Sequence, residues 1–181
     1  MKKRSAMGEL VWDHAVQDIP ELGLSMERAA DKGELEAIAR ALDLIACAPV
    51  TARYTITPNG LGRYRLKGRL YARVEQACVV TLEPVASTIE EPIDVVFWPS
   101  EALPAPTSGV VELDEEADPE PIREGRLQVG RVVFECLAAS IEPFPRTPGA
   151  ALERNSSSPA GEAGGEAESP FAVLASLRPK G

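Results

Sequence analysis

The sequence predicts an α+β protein in which an antiparallel β-sheet, arranged as a meander or a partial barrel, has two flanking helices and a flexible C-terminal tail. Three features predict this class: long runs of alternating apolar and polar residues, two runs with apolar residues at helical spacing, and a C-terminal region rich in small and polar residues. The 181 residues, 44% of them hydrophobic, suffice for one domain with a substantial core and are few for two.

Four strands are predicted from the alternation. A short strand is expected at 10–12, and a longer one at 50–57. After a Pro-Asn-Gly turn signal, an unusually long strand covers about 63–80, with apolar residues at most even positions and charged residues at most odd positions. A further strand is predicted at 89–97, where Pro92 indicates an edge or a bulge. Short links between the last three strands predict antiparallel pairing.

Two amphipathic stretches predict the helices. Asp31 with Glu34 three residues later resembles a capping box and precedes apolar residues at helical spacing, which predicts a helix over about 32–44. A second helical stripe covers about 127–140. Gly130 lies inside it and is expected to weaken that helix by about 1 kcal/mol relative to alanine.

The predicted domain covers residues 8–146 and contains an acidic, proline-rich loop at 99–125. A disordered linker is expected at 147–169 because the stretch is rich in Ser, Gly, Ala, Pro and Glu. Residues 170–178 are apolar again and predict a short docking motif. It either folds back onto its own domain or binds a partner, through Phe171, Leu174 and Leu177.

The side chains that most often carry chemistry are few. Cys47, Cys78 and Cys136 lack the C-x-x-C spacing of a metal or redox site and are predicted to be reduced, buried thiols. His14 has no catalytic arrangement around it and is predicted to be a surface or structural residue. We therefore expect no catalytic site, no metal and no cofactor. No apolar run reaches the roughly 20 residues of a membrane span, so a cytoplasmic protein without membrane contact is expected.

One segment is strongly basic although the chain carries a net charge of −9. No Asp or Glu lies between Leu44 and Val74, whereas six cations do, so the remainder carries −15. Same-face residues on a strand recur about every 6.6–6.8 Å, so the odd positions of the long strand align their cations in a row. The candidate nucleic-acid-binding residues are Arg53, Arg63, Arg65, Lys67, Arg69, Tyr71 and Arg73.

Three interpretations of this row remain open from the pattern alone. Cations beside an aromatic ring suit a nucleic-acid backbone with an occasional stacked base. The acidic stretch of the same chain could instead neutralise the cations, or the row could simply be solvated. Neighbouring charges about 7 Å apart in water repel by only about 0.6 kcal/mol, so the row by itself costs little and does not decide between these interpretations.

Three stretches together resemble the YceD family, the large ribosomal RNA subunit accumulation proteins. The first is the long strand with the residues after it, from Gly68-Arg69-Leu70-Tyr71 to Glu83-Pro84-Val85. The second runs from Ile141-Glu142-Pro143 through Arg146 to Pro148-Gly149-Ala150, and the third from Ser169-Pro170-Phe171 to Leu177. The resemblance covers roughly residues 8–146 and the tail.

This resemblance implies a bacterial, cytoplasmic factor for ribosome biogenesis, needed for accumulation of large-subunit ribosomal RNA and without enzymatic activity. Many family members carry a second cysteine three residues after the first; Thr81 stands there, so a metal role for Cys78 is not expected. We expect the basic residues to bind the ribosomal RNA or its precursor. The alternative is a protein-binding adaptor that engages a ribosomal protein or assembly factor through the acidic loop or the C-terminal peptide.

Overall fold

The structure is a computed structural model that describes residues 10–103 and 119–151. The chain divides into two units, residues 1–150 and 151–181, and the elements described below belong to the first. In chain order they are β1 (Asp13–Ala15), β2 (Leu24–Ala29), α1 (Lys32–Ala41), β3 (Ala46–Pro58), β4 (Tyr64–Ala77), β5 (Pro84–Pro99), β6 (Glu120–Ile122), β7 (Arg126–Gln128) and α2 (Val129–Ser140).

The main sheet has five strands in the order β2-β3-β4-β5-β6. Its first four strands are antiparallel neighbours, and the short β6 pairs in parallel with the end of β5. A small second sheet joins β1 to β7. The predicted α+β class with a mostly antiparallel sheet is therefore confirmed, and this five-stranded sheet is not closed into a barrel.

The alternation along β3 and β4 builds the core. Val50, Ala52, Tyr54 and Ile56 of β3 are buried, as are Leu66, Leu70, Ala72 and Val74 of β4. The helix α1 packs on β3, and α2 packs on β4 and β5, where their buried apolar residues join the same core. Since successive side chains of a strand point to opposite faces, the residues between these positions form the outer face of the sheet. The period-2 prediction is confirmed.

The first helix begins where the capping box predicts. Asp31 Oδ1 accepts a hydrogen bond from the Glu34 backbone N–H at 2.8 Å, and Glu34 Oε2 accepts one from the Asp31 N–H at 2.9 Å. The Glu34 carboxylate also accepts bonds from the Val11 N–H and the Trp12 indole, which fixes the N-terminal segment against the helix. The helix ends at Ala41, three residues before the predicted end.

Several element boundaries differ from the prediction because tertiary contacts decide them. The first strand is Asp13–Ala15 rather than 10–12, since Leu10 and Trp12 pack into the core. The second helix starts at Val129 because Arg126–Gln128 pairs with β1. Gly130 has a packing reason: a Cβ there would collide with the backbone of the crossing segment at Leu10.

Two strands of the main sheet were not predicted. The strand β2 is short and pairs along β3, and β6 lies inside the stretch 99–125 that was predicted to be a loop. The acidic centre of that stretch, 104–118, lies outside the described residues, as do most of the predicted linker at 147–169 and the whole motif at 170–178.

The strand β5 has one open edge in the part of the chain that the structure describes. It pairs with β4 along its whole length but with β6 only at Phe97–Pro99. Pro92 lies in the unpaired stretch of that edge, in agreement with the edge interpretation of this proline.

A polar pair lies within the buried face near β1. His14 is only 9% exposed, and its Nε2 lies 2.7 Å from the Tyr54 hydroxyl. Gly68, on the neighbouring strand, provides the space, since a Cβ there would lie 2.6 Å from the Cβ of Tyr54. Burial, reinforced by Arg28, lowers the pKa of His14. The histidine is thus structural, one of the two roles predicted.

Candidate nucleic-acid interface

The predicted cations of β3 and β4 lie on one face of the sheet, and Arg63, which precedes β4, is an exception in its contacts. Side chains at the odd positions of β4 from 65 to 73 are exposed, and each alternates with a core position. Arg53 of β3 is the register partner of Arg69 and shares this face. We call this surface the basic face; its residues are Arg53, Arg65, Lys67, Arg69, Tyr71 and Arg73.

The neighbouring strands bring carboxylates to the same face. Arg53 lies 3.0 Å from Glu27 of β2, while Arg65 and Lys67 lie 2.7 and 3.4 Å from Asp94 of β5. Hydrogen bonding from Arg65, with a smaller contribution from Lys67, holds the pKa of Asp94 below its ordinary value. These pairs are solvent-exposed, and exposed pairs contribute typically 0.2–1 kcal/mol each, so a ligand phosphate can compete with them.

The outer face therefore carries more negative charge beside its cations than the sequence predicts. The outer face carries the five cations of the basic face, but also Glu27, Glu90 and Asp94, and Glu75 near the end of β4. Intramolecular pairing does occur, and its carboxylates come from adjacent strands. The acidic centre of the 99–125 stretch, the source considered from the sequence, lies outside the described residues.

The part of the basic face with the most available charge is Arg69, Tyr71 and Arg73. Neither Arg69 nor Arg73 has a carboxylate within 4.0 Å among the described residues. Tyr71 lies between them on the same strand and is 38% exposed. Arg69 also lies directly opposite Arg53, and like charges in opposite positions destabilise a sheet.

The exception is Arg63, which precedes β4 and does not continue the row as a free cation. Its guanidinium carbon lies 3.8 Å from the centre of the Trp98 ring, in a cation–π contact. Trp98 is a residue that the sequence reasoning missed. It has the same parity as Asp94 on β5, so it belongs to the outer face, at the end of the basic face.

The comparisons with known proteins identify the family of the chain. The family model for the large ribosomal RNA subunit accumulation protein YceD matches residues 66–178, more than half of the chain. The chain belongs to the YceD family. This confirms the resemblance, and the family name implies a role in the accumulation of the large ribosomal RNA subunit. A search of curated proteins and a search of solved structures each found no match.

The family match includes the turn after β4, where Cys78 lies. The sulfur is enclosed and accepts hydrogen bonds from the backbone N–H groups of Val80, Thr81 and Thr147, at 3.5, 3.4 and 3.4 Å. The Thr81 side chain, followed by the N–H groups of Thr147 and Thr81, lowers the pKa of Cys78 to about 6, against the effect of its enclosure. The sulfur thus binds the 78–82 turn to the segment after α2.

The remaining candidate groups have simple environments. Cys47 is buried, as predicted, whereas Cys136 is half-buried; burial raises the pKa of both thiols. Among residues 10–103 and 119–151, no three His, Cys, Asp or Glu side chains are placed to hold a metal ion. No helix in these ranges is long and apolar enough to cross a membrane.

Proposed function

We propose that this member of the YceD family binds large-subunit ribosomal RNA, or its precursor, directly through the basic face, and that it acts as a ribosome-biogenesis factor without enzymatic activity. The observation that carries the proposal is the cluster of Arg69, Tyr71 and Arg73, with Arg53 opposite Arg69.

This cluster has the groups that a ribonucleotide chain needs. Arginine forms bidentate, charge-assisted hydrogen bonds with phosphate, and an exposed tyrosine ring offers a surface on which an unpaired base can stack. Arg53 lies opposite Arg69 and is paired with Glu27 in the free protein, so a phosphate that displaces this carboxylate could be bound by both guanidinium groups. Arg65 and Lys67 are paired with Asp94, so they contribute less to RNA binding than Arg69 and Arg73 until a phosphate displaces the Asp94 carboxylate.

The test compares two double variants with the same change in charge. Arg69→Gln with Arg73→Gln removes the available cations of the basic face, and Lys32→Gln with Arg40→Gln removes two exposed cations of α1. We expect the first variant to bind a large-subunit ribosomal RNA transcript at least tenfold more weakly, and its log–log salt slope to become shallower by about 1.4. The second should bind as the wild type does, and both should leave the RNA uncleaved.

The proposal is wrong if both variants lose the same affinity, because binding would then follow net charge and not this face. Retained folding is checked by thermal unfolding, and it is expected because Arg69 and Arg73 are exposed.

A protein-binding adaptor is the second candidate, and one described feature favours it. Val79, Leu82 and Phe144 are 47%, 76% and 69% exposed, and the Val79 N–H donates to the Pro145 carbonyl at 2.9 Å, which brings the two apolar segments together. A ribosomal protein or assembly factor could bind there. Replacing the three residues by serine should then remove a crosslinked protein partner in cells without changing RNA affinity; unchanged crosslinks would exclude this surface.

A further inference from the structure

We infer that the stacked pair Arg63 and Trp98 is a binding site for an unpaired nucleobase, so that the RNA bound by the basic face is single-stranded along this surface. This inference rests on the proposed function and specifies its ligand. It begins with a contact between side chains that are 35 residues apart in the chain: the Arg63 guanidinium lies 3.8 Å from the centre of the Trp98 ring.

The pair lies in line with the basic face. Arg63 precedes Arg65 by two residues, and Trp98 follows the Asp94 that pairs with Arg65 by four. Eight residues of extended chain separate Arg63 from Tyr71, which is about 27 Å at about 3.4 Å per residue. The outer face thus carries aromatic groups at two points along a cationic strand, and Arg73 lies beyond Tyr71. Duplex RNA does not offer its base faces to such groups, whereas single strands do.

The proposed site is the stacked pair itself. A cleft of about 380 Å³ is lined by Gly62 and Pro99, the chain neighbours of Arg63 and Trp98, but neither member of the pair lines it. The guanidinium plane above Trp98 offers a stacking surface that extends the ring.

Arg63 is held by the ring and not by a carboxylate. Its Nε is enclosed and has no hydrogen-bond partner among the described residues, and no ion pair forms there within 4.0 Å. The stack with Trp98 holds the Arg63 side chain in position. The experiment therefore tests the planar shape of the guanidinium group as well as its charge.

The experiment measures binding of oligoadenylate of about 12 nucleotides, a length within the range of single-strand binding sites, and of an RNA duplex of equal length. Arg63→Lys keeps the charge and loses the guanidinium plane. Arg40→Lys makes the same change at an exposed position of α1, so it is the matched control and should bind as the wild type does. We expect Arg63→Lys and Trp98→Leu to weaken oligoadenylate binding at least about fivefold and to leave the weaker duplex binding unchanged. Oligoadenylate should also quench the Trp98 fluorescence, and this quench should be lost in Trp98→Leu.

Each outcome decides the inference. If oligoadenylate binding depends on Arg69 and Arg73 but is unchanged in Arg63→Lys, with no quench, the base site is wrong and the proposed function stands. Tighter binding of the duplex also overturns the base site. If neither RNA binds, the inference and the proposed function both fail. If Trp98→Leu does not fold, binding by Arg63→Lys alone still distinguishes these outcomes.

Discussion

Replacing Asp94 by Asn tests whether the ion pairs of the outer face compete with RNA. The substitution removes one negative charge and the partner of two cations, Lys67 at 3.4 Å and Arg65 at 2.7 Å. If the basic face binds RNA, the affinity should increase. Each additional phosphate contact on a single strand changes the log–log salt slope by about −0.7, so the slope should steepen by up to about 1.4.

The assay is a titration of fluorescently labelled single-stranded RNA at several salt concentrations. If the slope changes by 1.4, the ratio of the variant's affinity to that of the wild type changes about 25-fold over a tenfold range of salt concentration. The variant should exceed the wild type most at low salt. Glu36→Gln is the matched control, because Glu36 pairs with Lys32 on α1 and its loss changes the net charge equally. Glu27→Gln should steepen the slope about half as much, since it releases Arg53 alone.

Two results would refute this reasoning. Equal tightening by Asp94→Asn and Glu36→Gln would show that net charge, and not the basic face, governs binding. Unchanged or weaker binding by Asp94→Asn would show that Arg65 and Lys67 do not contact the RNA.

The remaining predictions concern the interior. Gly68→Ala should lower the free energy of unfolding in urea by about 1–3 kcal/mol, because the new methyl group overlaps the Arg53 carbonyl oxygen and Tyr54. An unchanged unfolding midpoint would contradict this close approach of β3 and β4. The pKa of His14, the one histidine of the chain, should lie below 6.5 when followed by NMR. Since its folded pKa is depressed, its contribution to stability is complete above pH 6.5 and is lost as the pH falls towards the folded value; a pKa above 6.5 would contradict this. The Cys78 thiolate should titrate near pH 6 by its absorbance at about 240 nm, so stability should increase as the pH rises from about 6 to 9; titration at the ordinary thiol pKa would contradict the hydrogen bonds to the sulfur.

The sequence allowed the local part of the outer face to be predicted, because alternation depends only on neighbouring residues. It placed Arg65, Lys67, Arg69 and Arg73 on one side, and the structure agrees. The charge balance of that side depends on which strands pair. Since β2 was not recognised and the register of β5 is a long-range property, the carboxylates of Glu27 and Asp94 could not be assigned to the face.

Trp98 was missed for a related reason. It lies next to Pro99, at the start of a stretch whose composition predicts a loop. Its partner Arg63 lies beside the start of β4, the other strand of the hairpin, and is far from Trp98 in the sequence. Its alternation with Asp94 and Val96 was the one local signal that could have placed it on the outer face. The helix α1 shows the opposite case. Its capping box joins Asp31 to Glu34, only three residues later, so both partners could be predicted from the local sequence.

Pro92, in the open edge of β5, affects how readily copies of the protein associate with one another through this edge. An unpaired strand offers its amide groups to a second molecule and can act as a template for polymerisation. Pro92 has no N–H to offer, and Glu90, Glu91 and Asp94 surround it with negative charge that would repel an identical strand. Within the described residues, the missing amide of Pro92 and the carboxylates beside it thus both disfavour edge-to-edge polymerisation through β5.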